Sequence, residues 1–300
     1  MGSGSWSSST FKSYSTSKGR SVDATTGTIK GDFSAQSMFS QRKIAEELNP
    51  YKVIRECKDT AEHPNTVPVI LALDVTGSMG NGAVKVAKQL NVIMTELFQK
   101  VKDVEFLIMA IGDLAYDDAP VQASQYESDI RIAEHLDKVY FEGGGGGNWF
   151  ESYTAAWYFG LHHTDLDCWK RGKKGIIITL GDEPLNPYLP KKELNDVTGD
   201  TVQRDNQTKD LFNEASKKFS IYHLAVNDIS TQYRRTKDYV ATTFGEYLDE
   251  EHFRVVTLDS LTQEIVDIVV KEASAETDSA AIADENVAGE TLSNGYISWD

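Results

Sequence analysis

Residues 67–80 read VPVILALDVTGSMG, and this stretch determines the predicted fold. Val67 to Leu73 is an unbroken apolar run, which is typical of a central parallel strand buried on both faces. Asp74 begins a short polar loop after that run. From Ala83 to Val101 apolar residues then recur at steps of three and four, which predicts one buried face of a helix. The stretch therefore predicts a strand, a polar loop and a helix in direct succession.

Three more apolar runs predict buried strands: VEFLIMAI at 104–111, IIITL at 176–180 and IYHLAV at 221–226. A weak edge strand at 120–126 and a short last strand at 253–258 are also expected, with helices at 130–139, 151–162, 208–218, 232–243 and 261–273. Strands that alternate with helices require right-handed crossovers. The expected fold class is α/β, a doubly wound, mostly parallel central sheet with helices on both faces, Rossmann-like. In such sheets the ligand site lies at the carboxyl ends of the strands.

Two polar segments flank this predicted domain. Residues 1–63 form a Ser- and Gly-rich arm and lead-in whose scattered aromatics cannot build a core alone, although the arm could wrap over the domain or over a neighbour. Residues 64–273 form the domain itself. Residues 274–300 form an acidic tail without Lys or Arg, which we expect to be disordered.

Composition narrows the classes of function. The formal net charge of -16 argues against nonspecific nucleic-acid binding, which needs a basic face. No apolar run approaches the roughly 20 residues that span a bilayer, and the N-terminus lacks the apolar region of a secretory signal. Two cysteines, Cys57 and Cys168, are too few for a disulfide framework and fit a reducing compartment. The sequence therefore predicts a cytoplasmic protein without a membrane or nucleic-acid partner.

Three polar loops at the ends of predicted buried elements carry oxygen ligands. Asp74, Thr76 and Ser78 alternate in the first loop, and positions two apart in a tight loop can aim at one point. A glycine-rich loop at 142–152 supplies Glu151 or Ser152, and the loop after IIITL supplies Asp182. Magnesium prefers about six such oxygens, and the lack of Cys and His in these loops disfavours zinc and copper. The predicted metal ligands are Asp74, Thr76, Ser78, Glu151, Ser152 and Asp182.

The run ILALDVTGSMG resembles the first motif of von Willebrand factor A domains, the Asp-x-Ser-x-Ser of the metal-ion-dependent adhesion site, with Thr76 in place of the middle Ser. The stretch EGGGGGNWFESYTAAWYF is similar to the family's second metal-binding loop, and Thr179-Leu180-Gly181-Asp182 to its last motif, with the Asp displaced by two residues. The combined motifs most resemble a group of bacterial and phage-type intracellular A-domain proteins.

The resemblance implies a non-catalytic domain that holds Mg²⁺, with Mn²⁺ or Ca²⁺ as alternatives. It implies that Asp74 and Asp182 contact the metal through water and that Thr76 or Ser78 binds directly. Ser152 or Glu151 would be the ligand from the glycine-rich loop at 142–152. An acidic side chain of a protein partner would complete the metal shell, unless Glu151 fills that position itself. By family analogy, the partner is an AAA+ ATPase of chaperone type or a multiprotein assembly.

Several alternatives stay open on sequence alone. The site residues are also typical helix caps and turn formers. A structural or assembly protein with a vestigial site would show the same sequence pattern. A haloacid-dehalogenase-like phosphatase also places an Asp after its first strand, but it needs a general acid where this chain has Thr76.

Two further clusters have ordinary interpretations. The metal-ligand types at His162, His163, Asp165, Asp167 and Cys168 match no zinc spacing. The basic run 170–174 could contact phosphate or an acidic partner, although a solvated loop is the default interpretation. Asp113, Asp117 and Asp118 are expected to be solvated carboxylates on the rim of the metal loops.

Overall fold

A six-stranded sheet forms the centre of the molecule in the computed structural model, which describes residues 4–144, 150–227 and 234–274. Its strands are β2 (Val67–Asp74), β3 (Val104–Ile111), β4 (Val121–Ala123), β6 (Gly175–Gly181), β9 (Phe219–Val226) and β10 (Phe253–Val256). The sheet order is β10-β9-β6-β2-β3-β4, in which only β4 runs antiparallel. The predicted doubly wound, mostly parallel sheet is therefore confirmed.

The helices connect these strands in the expected alternation. They are α1 (Ser8–Ser17), α2 (Ala35–Met38), α3 (Gly80–Lys100), α4 (Arg131–Asp137), α5 (Thr154–His162), α6 (Lys191–Thr198), α7 (Thr208–Ala215), α8 (Arg234–Gly245) and α9 over residues 261–274. Two small ribbons pair β1 (Arg55–Cys57) with β5 (Thr164–Leu166) and β7 (Tyr188–Leu189) with β8 (Asn206–Gln207). No helix in these ranges is long and apolar enough to cross a membrane.

Alternate side chains of β2 enter two separate cores. Val69 and Leu71 belong to the core that α3, α4 and α9 cover, whereas Ile70 and Ala72 belong to the core under α5, α7 and α8. Because successive residues of a strand point to opposite faces, a strand buried on both faces must be apolar at every position. This requirement explains the unbroken apolar run, and the predicted helices on both faces are confirmed.

The N-terminal arm is packed onto the domain over its described part. Phe11, Ile29, Met38 and Phe39 are at most 3% exposed and belong to the same core as α3. The Trp6 indole N–H donates to Asn91 Oδ1 at 3.1 Å. The isolated aromatics of the arm therefore act as anchors on α3 and its surroundings, which is the wrapped arrangement that the sequence allowed.

Several element boundaries differ from the sequence prediction. The helix expected at 151–162 begins at Thr154, because the backbone of Glu151 bridges to Leu185 instead. The helix expected at 208–218 ends at Ala215. The predicted acidic tail lies almost entirely outside the described residues, as do Gly145–Gly147 of the glycine-rich loop and the start of the helix expected at 232–243.

Candidate functional site

The three polar loops meet at the carboxyl edge of the central strands. The chain leaves β2 for β3 on one side and later returns to β6 on the other, so the strand order reverses at β2. Such a reversal opens a crevice between the outgoing loops. Asp74 ends β2 and Gly181 ends β6, and these strands are paired directly in the sheet. The topology therefore places the first and last predicted loops side by side.

Asp74 is the buried anchor of this edge. Its side chain is fully buried, and its Oδ1 accepts from the Thr76 amide at 2.8 Å and from Thr76 Oγ1 at 2.5 Å. Its Oδ2 accepts from the Tyr153 hydroxyl at 2.7 Å. Burial, followed by repulsion from Asp182, raises the pKa of Asp74 from 3.8 to about 7. In this arrangement a nearby cation would favour the ionised carboxylate.

Ser78 and Asp182 join the first loop to the last. Ser78 Oγ donates to Asp182 Oδ1 at 2.8 Å. Burial raises the pKa of Asp182, and the bond from Ser78 opposes that rise. Burial, with repulsion from Asp182 and Asp74, also raises the pKa of the adjacent Glu183 to about 7. Acids from both loops therefore share one small volume.

Ionisation of Glu151 is strongly disfavoured at this edge. Its side chain is 5% exposed, and its Oε2 is buried without a hydrogen-bond partner among the described residues. Burial raises the pKa of Glu151 well above its usual range, and repulsion from Asp74 and Asp117 adds to the rise. An unpartnered buried carboxyl oxygen is costly unless something binds it.

Ser152, the other candidate ligand in the glycine-rich loop at 142–152, is already hydrogen-bonded. Its side chain is 3% exposed, and its Oγ accepts from the Leu114 amide at 3.0 Å. Its own amide donates to Gly112 O at 3.3 Å. Ser152 therefore ties the third loop to the end of β3, which is a structural task that the sequence did not indicate.

The rim acids are less solvated than the sequence suggested. Asp113 is 2% exposed. The Asp113 amide donates to Asp117 Oδ2 at 2.7 Å. Burial raises the pKa of Asp117 to about 6, to which repulsion from Glu142 and Asp113 contributes. The expectation of solvated carboxylates was therefore wrong for Asp113, because the rim loop folds inwards; Asp118 is exposed, as expected.

Two glycines allow the loops to approach closely. The Gly77 amide donates to Gly144 O at 2.8 Å, and a Cβ at Gly77 would lie 3.2 Å from Gly143 O. At Gly181 a Cβ would lie 1.9 Å from the Tyr153 hydroxyl oxygen. A side chain at Gly181 would therefore displace Tyr153 from Asp74.

Tyr153 is the site residue that sequence reasoning missed. It is fully buried, donates to Asp74, and accepts from the Glu183 amide at 3.3 Å. An aromatic that follows Glu151 and Ser152 resembles any core residue in sequence. The only available signal was the Gly181-Asp182 pair, whose missing side chain makes room for the ring.

The arrangement is rich in hard oxygen donors. It contains two hydrogen-bonded pairs, Thr76 with Asp74 and Ser78 with Asp182. Asp182 and Asp74 are close enough to interact electrostatically, as are Asp74 and Glu151. None of the leading influences on the pKa values of these acids is a lysine or arginine. Among the described residues, however, no three His, Cys, Asp or Glu side chains are already arranged around a metal position.

The second cluster noted in the sequence has a structural role. His163 Nδ1 and Nε2 lie 2.8 Å from Val53 O and Asp200 Oδ2. Cys168 is fully buried, and Lys170 Nζ donates to Asp167 Oδ1 at 2.7 Å. The ring nitrogens of His163 and the Asp167 carboxylate therefore already have protein partners.

No family model and no curated protein matches this chain. Solved structures with a related fold include the pilus adhesin SpaC from Lactobacillus rhamnosus GG, at 12% identity and TM-score 0.49, over 74% of this chain and 31% of the adhesin. They also include proximal thread matrix protein 1 from the mussel byssus, at 12% identity and TM-score 0.44, over 70% and 46% of the two chains.

The von Willebrand factor domain of the type V pili tip protein Mfa5 from Porphyromonas gingivalis is a third, at 10% identity and TM-score 0.41, over 78% and 98% of the chains. This chain spans less than half of the adhesin and byssus proteins. At such identities the fold assignment rests on the chain itself. Its strand order, its helices on both faces and its three loops at one edge make it a von Willebrand factor A-like fold.

Proposed function

We propose that the carboxyl edge of the sheet binds one Mg²⁺ ion and that the protein uses this site, without catalysis, to bind a protein partner. Mn²⁺ and Ca²⁺ are the alternative ions. Ser78, Asp182 and Glu151 are the proposed direct ligands. Asp74 and Thr76 would lie behind them, without direct contact to the ion. The metal would supply positive charge and open positions for oxygen ligands.

The unpartnered Oε2 of buried Glu151 is the observation that carries this proposal. A carboxyl group in that position raises the free energy of the folded state unless it is protonated or bound to a cation. Asp74 and Asp182 lie in the same electrostatic neighbourhood, so one divalent ion would relieve all three. Oxygen donors without sulfur or imidazole favour Mg²⁺ over zinc.

The binding role follows from the kind of groups present. Thr76 stands two residues after Asp74, where a phosphatase of the haloacid-dehalogenase type needs a carboxylic acid, and its hydroxyl is bonded to Asp74. A metal held by few protein ligands keeps positions for water or for a partner's carboxylate. We therefore propose an acidic side chain of a protein partner as the ligand that docks here, and a cytoplasmic setting in which both cysteines stay as the free thiols observed.

Titration calorimetry with Mg²⁺ tests the site. We expect one saturable site in the wild type and a loss of at least about tenfold in affinity for Ser78→Ala and for Glu151→Gln, since each removes a ligand. Ser152→Ala decides between the two third-loop candidates, and it should bind Mg²⁺ with little change because its hydroxyl serves Leu114.

Asp118→Asn is the matched control for charge, because Asp118 lies in the rim loop but is exposed. It should leave the Mg²⁺ affinity within about twofold of wild type, as expected for a screened surface charge. No heat of binding up to millimolar Mg²⁺ or Mn²⁺ in the wild type would refute the metal site. The fold would then be a scaffold with a degenerate loop set.

A further inference from the structure

A basic groove lies at the opposite end of the molecule from the acidic site. Its cavity measures about 530 Å³, which is within the usual range of ligand pockets. Val67 at the start of β2 and Val101 before β3 contribute apolar lining, and the cations Lys100, Lys102, Arg171 and Lys173 surround it. Because these residues precede strands, the groove lies at the amino ends of β2, β3 and β6.

Two of the cations have no fixed counter-ion. Lys100 and Lys102 are exposed and form no ion pair with the described residues. Arg171 is held in place by the Asp59 carboxylate and by Thr66 O. On a protein with a net charge of -16, Lys100 and Lys102 make this groove a local site that attracts an anionic group.

The one carboxylate in the groove lining is occupied by neighbouring groups. Asp103 Oδ2 accepts from the Asn65 amide at 3.3 Å, and Asp103 Oδ1 lies 3.3 Å from His63 Nδ1. Asp103 is therefore directed to residues that precede β2. It does not form an ion pair with Lys100 or Lys102, so the basic character of the groove persists.

The last helix delivers the chain to this groove. Ala273 and Ser274, at the end of α9, are part of the groove lining. The sequence that follows, AETDSAAIADENVAGETLSNGYISWD, contains no Lys or Arg. Its acidic residues alternate with short apolar groups, and they are Glu276, Asp278, Asp284, Glu285, Glu290 and Asp300.

We propose that the acidic segment 276–290 of the same chain docks in this groove, with its carboxylates on Lys100 and Lys102 and its apolar residues on Val67 and Val101. Because the segment begins two residues after Ser274 of the groove lining, its effective concentration at the groove would be of roughly millimolar order, which a separate molecule must exceed to compete. Charge complementarity and this continuity favour the tail over any other occupant. The inference is independent of the metal site.

Zero-length carbodiimide cross-linking of the full-length protein tests the contact, since it joins only amines and carboxylates that touch. We expect intramolecular links from Lys100 or Lys102 to acids within 276–290, identified by mass spectrometry. A mixture of light and heavy isotope-labelled protein distinguishes links within one chain from links between chains. Links only between chains, or none to 276–290, would overturn the proposal.

Hydrogen exchange of the same protein supplies the second readout. The double variant Lys100→Glu/Lys102→Glu should speed amide exchange across 276–290 by about threefold or more, because docking protects the segment. Lys12→Glu/Lys43→Glu makes the same charge change at exposed lysines of the arm, and it should leave the exchange unchanged.

The remaining outcomes test the contact with the two lysines. Equal exchange in both double variants and the wild type would contradict docking. Inorganic phosphate should speed exchange across 276–290 in the wild type but not in Lys100→Glu/Lys102→Glu, because an anion that binds these lysines displaces the segment. The same effect of phosphate on both proteins would contradict docking at the two lysines.

Discussion

Tyr153 and Asp74 show how single residues define this site. The Tyr153 hydroxyl reaches Asp74 only because Gly181 has no side chain, and it also accepts from the Glu183 amide. The Tyr153 hydroxyl thus connects the end of the glycine-rich loop to the end of β2 and to the loop after β6. This connection holds the acids in place before any ligand binds.

Replacing Tyr153 with Phe tests this role. The variant removes a donor to the buried Asp74, so we expect the free energy of unfolding to fall by about 1–3 kcal/mol, the cost of an unsatisfied buried group. Urea denaturation measures the change. Tyr126→Phe is the matched control, because the Tyr126 hydroxyl is equally buried but has no partner among the described residues. Equal effects of the two substitutions would contradict the assigned role.

At the residue scale, the sequence predicted which oxygen donors meet but not how they are arranged. Asp74, Thr76, Ser78 and Asp182 come together as expected from strand–loop order. The bond from Leu114 to Ser152 and the orphaned oxygen of Glu151 could not be foreseen. Both depend on how the third loop folds between β3 and β6, which no local pattern encodes. The metal itself stays a prediction.

At the element scale, long apolar runs were the reliable signal. β2, β3 and β9 occupy almost the predicted ranges, because a strand buried on both faces must be apolar throughout. The start of α5 was missed by three residues, since the Glu151 amide donates to Pro184 O and the backbone pairs with Leu185. Tertiary pairing overrides the helical pattern at that point.

The N-terminal arm is the element whose contribution the sequence least revealed. Its Phe11 is 2% exposed within the core beside α3, and the Phe39 and Phe141 rings stack with centroids 6.0 Å apart. Phe141 precedes the glycine-rich loop that contacts Gly77. The arm therefore stabilises both the domain core and the approach to the site.

Truncation of Phe11 measures that stabilisation. Phe11→Ala should lower the free energy of unfolding by about 3–5 kcal/mol, the usual cost of removing a buried aromatic side chain. Guanidinium denaturation followed by circular dichroism gives the value. Tyr51→Ala, at a residue that is 48% exposed, should cost far less. A loss below about 1 kcal/mol for Phe11→Ala would show that the arm is not part of the cooperative core.

At the scale of the whole molecule, charge is distributed between two ends. The carboxyl ends of the strands gather Asp74, Asp182 and Glu151, whereas the amino ends carry Lys100 and Lys102 beside the basic groove. The sequence predicted the acidic end from its motifs. At the basic end, the sequence indicated only the run 170–174, which supplies Arg171 and Lys173. Lys100 and Lys102 could not be added to that run, because only the fold brings these separate segments together.

The raised pKa of Asp74 makes stability depend on pH in the metal-free protein. Between its ordinary value of 3.8 and about 7, folded Asp74 holds a proton that the unfolded chain has released. Folding is therefore favoured at low pH, and this contribution is lost as pH rises through about 7. With a chelator present, the melting temperature should fall by about 5 °C between pH 5 and pH 8, and Mg²⁺ should reduce that fall.

Asp74→Asn is the control for this pH dependence. Burial also raises the pKa of Glu183 and of Glu127 to about 7 and that of Asp117 to about 6, so the wild-type slope has several sources. The part due to Asp74 should disappear in Asp74→Asn, and the part due to Glu127 should persist. A slope that is identical in wild type and variant would show that Asp74 does not titrate in this range.

The most direct measurement is the anomalous difference density of crystals grown with Mn²⁺, which takes the same oxygen ligands as Mg²⁺. We expect one strong peak at the carboxyl edge of the sheet, within about 2–2.5 Å of ligand oxygens from Ser78, Asp182 or Glu151. The same peak should be absent from crystals of Glu151→Gln grown at limiting Mn²⁺. A peak elsewhere on the molecule, or none at this edge, would contradict the account.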